Sequence, residues 1–205
     1  MLSSIARLLL KIGGWTLVGD HPSVPKAVII AAPHTSNWDG IWGLIAKVAL
    51  GVDVHFFGKD TLFWFPLGFI LRIMGGIPLD RANPGSSVEK AVRGFEVEDS
   101  YYFAMAPEGT RRHKPYWKTG FYRIAVSAGV PVVLAFFDYE RRRLGIGATV
   151  EITGDPDKDL ARIREFYDAN ARPKHGDKMG PVAFDPEARI AGRETPHDGS
   201  DGPSG

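Results

Sequence analysis

Cysteine is absent from the 205 residues. That excludes a disulfide framework, a thiolate zinc site, a cysteine-ligated iron–sulfur cluster and a cysteine nucleophile. Long apolar runs are missing too. The longest stretch without a Lys, Arg, Asp or Glu is Ile124–Phe137, 14 residues, whereas a spanning helix needs roughly 20. Met1–Lys11 carries its charges inside and after its apolar positions and no A-x-A site follows, so a signal peptide is not expected. Net charge is only +1 and 44% of residues are hydrophobic, which does not fit intrinsic disorder. A pI near 8.0 is low for a dedicated nucleic-acid binder. The motif set has gaps as well. There is no G-x-S-x-G elbow, no H-E-x-x-H pair and no P-loop, and Gly145-Ile-Gly147-Ala-Thr-Val150 lacks the third glycine of a dinucleotide loop.

What is present suits one domain with a sizeable core. Gly and Pro together make 39 residues, so turns are frequent. Short apolar runs, read as strands, alternate with helical patterns. The strands are Ala27–Ala32, Val52–Phe57, Ile77–Leu79, Tyr101–Ala106 and Val130–Phe137, with Arg141–Thr153 as two short strands or a hairpin around its glycines. The helices are Met1–Ile12, Ile41–Leu50, Leu62–Met74 broken at Pro66, Ser86–Val97, Thr119–Ala128 and Pro156–Asn170. This alternation predicts an α/β fold, a single domain with a mostly parallel mixed sheet flanked by helices. The expected organisation is an amphipathic helix over 1–14, the domain over 15–171 and an irregular, disordered tail over 172–205. In such sheets functional loops gather at the carboxyl ends of strands, and His34, Arg81 and Glu108 each fall just after a predicted strand.

Charge is unevenly spread. Residues 1–145 hold 17 Lys/Arg against 12 Asp/Glu, and residues 146–205 hold 8 against 12. Basic clusters occur at Arg111, Arg112, Lys114 and Lys118 and at Arg141–Arg143, either as solvated surface or as a seat for an anionic partner. His34 and Asp39 are candidates for a dyad: a neutral imidazole can take a proton from an alcohol when a carboxylate orients it and stabilises the imidazolium. A helix-start histidine with an acidic first-turn partner would look the same. In Glu108-Gly109-Thr110-Arg111, Gly109 permits close backbone approach and Arg111 offers a bidentate fork for phosphate. Arg81 is a second isolated arginine that could pair with Asp80 or meet an anion.

Five blocks occur in order: His34-x4-Asp39, Gly76-Ile77-Pro78-Leu79-Asp80-Arg81, Pro107-Glu108-Gly109-Thr110-Arg111, Trp117-Lys118-Thr119-Gly120 and Val130-Pro131-Val132-Val133. Together, over about residues 28–137, they resemble the PlsC-like glycerolipid acyltransferase family, which includes 1-acylglycerol-3-phosphate acyltransferases. The resemblance implies the family's α/β acyltransferase fold, with His34 as base and Asp39 as its orienter. It also implies an acceptor phosphate site of Arg81, Glu108, Gly109, Thr110, Arg111 and Lys118. No metal or cofactor is implied; acyl-CoA or acyl carrier protein would be the co-substrate, with a lipid acceptor. A different lipid acceptor, a silent lipid-binding module or a phosphate-ester hydrolase are the rival readings. The apolar Leu62–Leu71, with the first helix and the basic Arg7, Lys11, Lys59 and Arg72, predicts peripheral contact with the inner face of the cell membrane, from the cytoplasm; core-packing helices, or an acyl-chain shelter at Leu62–Leu71, are the other reading of the same segments.

Overall fold

The computed structural model describes residues 1–79 and 84–188. Asp80 and Arg81, the end of the second block, lie outside them.

The chain runs α1 (Leu2–Ile12), β1 (Thr16–Val18), β2 (Lys26–Ala32), α2 (Asn37–Leu50), β3 (Val54–Lys59), a 3-10 turn at Asp60–Leu62, α3 (Leu67–Ile73), β4 (Gly76–Leu79), α4 (Pro84–Val97), β5 (Tyr101–Met105), α5 (Gly120–Ala128), β6 (Val132–Asp138), β7 (Arg143–Val150) and α6 (Pro156–Asn170). Seven strands form one sheet in the order β1-β7-β6-β2-β5-β3-β4. Every pairing is parallel except β6 with β7. Parallel strands need helical crossovers, which cover both sheet faces. The central strands are therefore apolar on both sides: Val28, Ile30 and Ala32 of β2 join the core under α4, α5 and α6. Ala27 and Ile29 face the opposite layer, where Phe137 and Leu144 pack with α1 and α2.

Two expectations are corrected, and one strand was not expected. The segment Arg143–Val150 is one strand rather than two. Gly145 does not break it; a side chain there would clash with the carbonyl oxygen of Val18, so glycine lets β1 and β7 approach. β1 itself, three residues long, carries no pattern long enough to read. The tail expected from Arg172 is part of the fold through Ala188. Val182 and Phe184 are buried in the main core, and Trp117 N–H donates to the Ala183 carbonyl at 2.7 Å. Lacking periodicity, this segment packs by single anchors rather than by a face.

Register sets where the loops emerge. Ile30 of β2 pairs with Met105 of β5, and Ala32 pairs with Phe136 of β6. The chain therefore leaves β2, β5 and β6 along one sheet edge, side by side.

Candidate active site

Helix α2 begins four residues earlier than the apolar pattern suggests. Ser36 Oγ accepts from the Trp38 N–H at 3.2 Å, and Asp39 Oδ2 accepts from the Ser36 N–H at 2.7 Å. This capping box satisfies amides that the helix leaves unpaired. It also turns the Asp39 carboxylate back over the strand end. There Oδ2 accepts from the Thr35 N–H at 2.7 Å and lies 3.7 Å from His34 Nδ1, with the Asp39 side chain fully buried and that of His34 25% exposed. The capping and dyad readings of the pair are thus both met by one geometry. Burial lowers the His34 imidazole below its usual pKa; Asp39 opposes this and Arg111 adds to it. The result favours a neutral ring, the form that can accept a proton.

Glu108 comes from the loop after β5, next to β2, and is turned inward. Its Oε1 accepts from the His34 backbone N–H at 2.9 Å, while Oε2 is buried without a hydrogen-bond partner. Burial pushes its carboxyl up to about 7, the His34 and Glu108 amides pull it down, and Asp39 adds to the rise. The carboxyl thus supports the His34 loop from beneath. Gly109, at φ 64, reverses the loop, and a side chain there would meet Lys118 Cδ and Cε at 2.9 Å. The Lys118 stem thus crosses Gly109, and its N–H donates to the Pro107 carbonyl at 2.8 Å. Arg111 and Lys118 are exposed and Thr110 is half-buried. The structure therefore brings together His34, Asp39 and Glu108, with Arg111 near enough to bias His34, and places Gly109 and Lys118 against each other. Arg81 lies outside the described residues. Among those residues no group of three His, Asp or Glu side chains is placed to hold a metal.

Two contributors escaped the sequence reading. Tyr139, in the turn after β6, donates from its hydroxyl to Asp39 Oδ1 at 2.5 Å. The rule that selected His34 and Glu108, proximity to a strand's carboxyl end, selects Tyr139 as well. The second is the segment after α6. Its Arg172 carbonyl accepts from the Tyr139 N–H at 3.0 Å, its His175 N–H reaches Thr35 Oγ1 at 3.4 Å, and Lys174 Nζ stands 5.5 Å from the Trp38 ring centroid. The cluster Arg141–Arg143 is engaged within the fold. Arg141 and Arg143 pair with the buried Asp138 at 3.3 and 3.0 Å, and the Arg142 guanidinium lies 5.8 Å from the Trp15 ring centroid.

Exposed apolar residues cluster on α1 and around α3. On α1 only Ala6 and Leu10 are buried, and Leu2, Ile5, Leu8, Leu9 and Ile12 are exposed. Trp64, Phe65, Phe69, Ile70 and Ile73 are exposed on and before α3, as are Trp38 and Ile41 on α2. No helix among the described residues is long and apolar enough to cross a membrane.

A mostly parallel α/β sheet thus sets the His34-x4-Asp39 pair at the end of its central strand. The acyltransferase family profile matches residues 17–135, and the chain belongs to that family. It is 34% identical over 106 residues to the chloroplastic 1-acyl-sn-glycerol-3-phosphate acyltransferase BAT2 of Brassica napus, covering 49% of this chain and 30% of that protein. It is 32% identical over 121 residues to the 1-acyl-sn-glycerol-3-phosphate acyltransferase of Haemophilus influenzae, covering 56% of this chain and 48% of that one. The chain thus spans about half or less of the length of these relatives. The fold is like that of the 1-acyl-sn-glycerophosphate acyltransferase PlsC of Thermotoga maritima, with TM-score 0.57 and 17% identity over 84% of this chain and 80% of that one.

Proposed function

We propose that this protein transfers a fatty acyl group from a thioester, on coenzyme A or acyl carrier protein, to the hydroxyl of a lysophospholipid-type acceptor, foremost 1-acylglycerol-3-phosphate. The observation that carries the reading is the neutral-favoured His34 beside buried Asp39 at the end of β2, within the electrostatic reach of Arg111. With Nδ1 turned to Asp39, Nε2 of His34 takes the acceptor's hydroxyl proton. The oxygen attacks the thioester carbonyl, the C–S bond breaks, and the thiolate leaves and recovers the proton from the imidazolium. Asp39 stabilises that imidazolium. Arg111 and Lys118 hold the acceptor phosphate, and Arg81 is proposed to join them. The inward Glu108 acts through the His34 loop and not on the phosphate. The names of the relatives support the acceptor class.

The exposed apolar residues of α1 and of the Leu62–Ile73 segment, flanked by Arg7, Lys11, Lys59 and Arg72, support peripheral attachment at the inner face of the cell membrane, where a lipid acceptor could enter without leaving the bilayer. The test is a purified-protein assay with acyl-CoA and acyl carrier protein donors against a panel of lyso-acceptors, with products read by mass spectrometry. A diacyl product that depends on His34 supports the reading. Product from only a phosphate-free acceptor would reassign the substrate, and free phosphate without acyl product would replace transfer by hydrolysis.

A further inference from the structure

Asp39 has two oxygens with different neighbours. Oδ2 accepts from two backbone amides, Thr35 and Ser36 at 2.7 Å each, and faces His34 Nδ1 at 3.7 Å. Oδ1 accepts from the Tyr139 hydroxyl. Asp39 is fully buried, and a buried carboxylate oxygen without a donor is costly. The donor comes from 100 residues further on, from the β6–β7 turn.

Tyr139 is held for this contact from several sides. Its ring stands edge-on to Trp15, centroids 4.9 Å apart at 81°. Its backbone N–H donates to the Arg172 carbonyl at 3.0 Å. In the same turn Arg142 adopts φ 53, a conformation uncommon outside glycine, and its guanidinium lies 5.8 Å from the Trp15 ring centroid. Burial, then the bond to Asp39 and the charge of Asp39, push the Tyr139 phenol upward, with Arg142 opposing. The hydroxyl therefore keeps its proton and can only donate to the carboxylate.

We infer that Tyr139 is a positioning residue of the dyad, its hydroxyl fixing the Asp39 carboxylate and setting how strongly that carboxylate acts on His34. The inference rests on the acyl-transfer reading for its kinetic consequences only. A donor on Oδ1 draws charge away from Oδ2, the oxygen that faces the imidazole. It also blocks rotation of the carboxylate toward the ring. Among the described residues the charged groups that act on His34 are Asp39 and Arg111, with Glu108 bonded to its backbone N–H, and those that act on Tyr139 are Asp39 and Arg142. Removal of the hydroxyl changes only the Asp39 contribution. A stronger negative potential at Oδ2 raises the His34 pKa.

The experiment is Tyr139→Phe in the full chain, read first by NMR titration of the His34 ring, assigned against His34→Gln. The expected result is an upward move of the His34 pKa by roughly half a unit or more. With an acceptor and a thioester donor, kcat should fall about 10-fold with KM nearly constant, and the acid limb of the pH–rate profile should move up with His34. In an Asp39→Asn background the same change should cost no further rate, because the interaction is already gone. If the Phe variant does not fold, 3,5-difluorotyrosine at position 139 keeps the shape and strengthens the donor, and the His34 pKa should then fall. An unchanged titration, or losses that add across the two backgrounds, would overturn the inference. If wild type turns over no acceptor, the acyl-transfer reading fails, while the titration still decides the Tyr139–Asp39–His34 linkage.

Discussion

In the proposed reaction His34 is the base, and burial holds its imidazole low while Asp39 opposes the shift and Arg111 adds to it. His34→Ala should cut transfer by about 10²–10⁴-fold with the melting transition preserved; near-normal turnover of the purified variant would refute the dyad. Arg111→Ala and Lys118→Ala should raise the acceptor KM with little change for the donor, a loss of roughly 1.5–3 kcal/mol where a charge-assisted contact to phosphate is removed. Steady-state kinetics with acceptors that have and lack a phosphate decide it. Glu108 makes a different prediction because its carboxyl is raised from 4.5 to about 7. A carboxyl raised by folding favours the native state while protonated, so its contribution is full below about pH 4.5 and is lost as pH rises through about 7. Glu108→Gln keeps an acceptor for the His34 N–H and never ionises. Its stability should match wild type below about pH 4.5 and exceed it increasingly as pH rises toward 7, by at most about 3 kcal/mol. Thermal melts across that range test it, and a Gln advantage that does not grow with pH would show that Glu108 is not held near neutrality.

At the scale of the element, the legible parts are those with a long pattern. β2, β6 and α6 have apolar runs or a capping signal several residues long, and the observed Pro156–Asn170 helix coincides with its expected span. The illegible parts depend on contacts distant in sequence. Nothing in Thr16–Val18 announces a strand until Gly145 opens a place for it, and Val182 and Phe184 are two apolar residues in a polar stretch until the Trp117 region is in place. The site divides the same way. His34, Asp39 and the Glu108 loop were legible as motifs, but the inward turn of Glu108 and the arrival of Tyr139 follow from β2 lying between β5 and β6. Gly109 ties the local backbone to the proposed acceptor contact of Lys118. At φ 64 an added side chain is strained by about 1 kcal/mol or more, and it would press on the Lys118 stem 2.9 Å away. Gly109→Ala should therefore weaken acceptor binding more than it lowers the melting temperature. Equal acceptor KM values in the two proteins would separate Lys118 from this loop.

For the whole molecule, the decisive feature is the exposed apolar surface of α1 and of the segment around α3. Ser3 Oγ reaches the Ala49 carbonyl at the far end of α2, while Trp15, just past α1, touches Trp42 near the start of α2. The two helices thus run antiparallel, and the end of α1 approaches the dyad. Five of its apolar side chains face solvent. Across the sheet edge, Phe65 is 84% exposed and Trp64 60%, in the chain that leaves β3 on the same side as His34. Apolar groups in such numbers are rarely left to water on a monomer, and a basic flank beside them is the combination that binds anionic bilayers. Arg7, Lys11, Lys59 and Arg72 are all exposed, and Arg72 also lies over the Phe63 ring at 5.2 Å. The protein should float with vesicles that contain anionic lipid at low salt, and release as salt screens the basic residues. Trp64→Ser with Phe65→Ser, and separately Leu8→Ser with Ile12→Ser, should each reduce flotation even at low salt, without loss of turnover on a soluble short-chain acceptor. Retention of wild type in the soluble fraction at low salt would reassign these side chains to an acyl-chain shelter or a protein contact, and the lipid acceptor would have to reach His34 from solution.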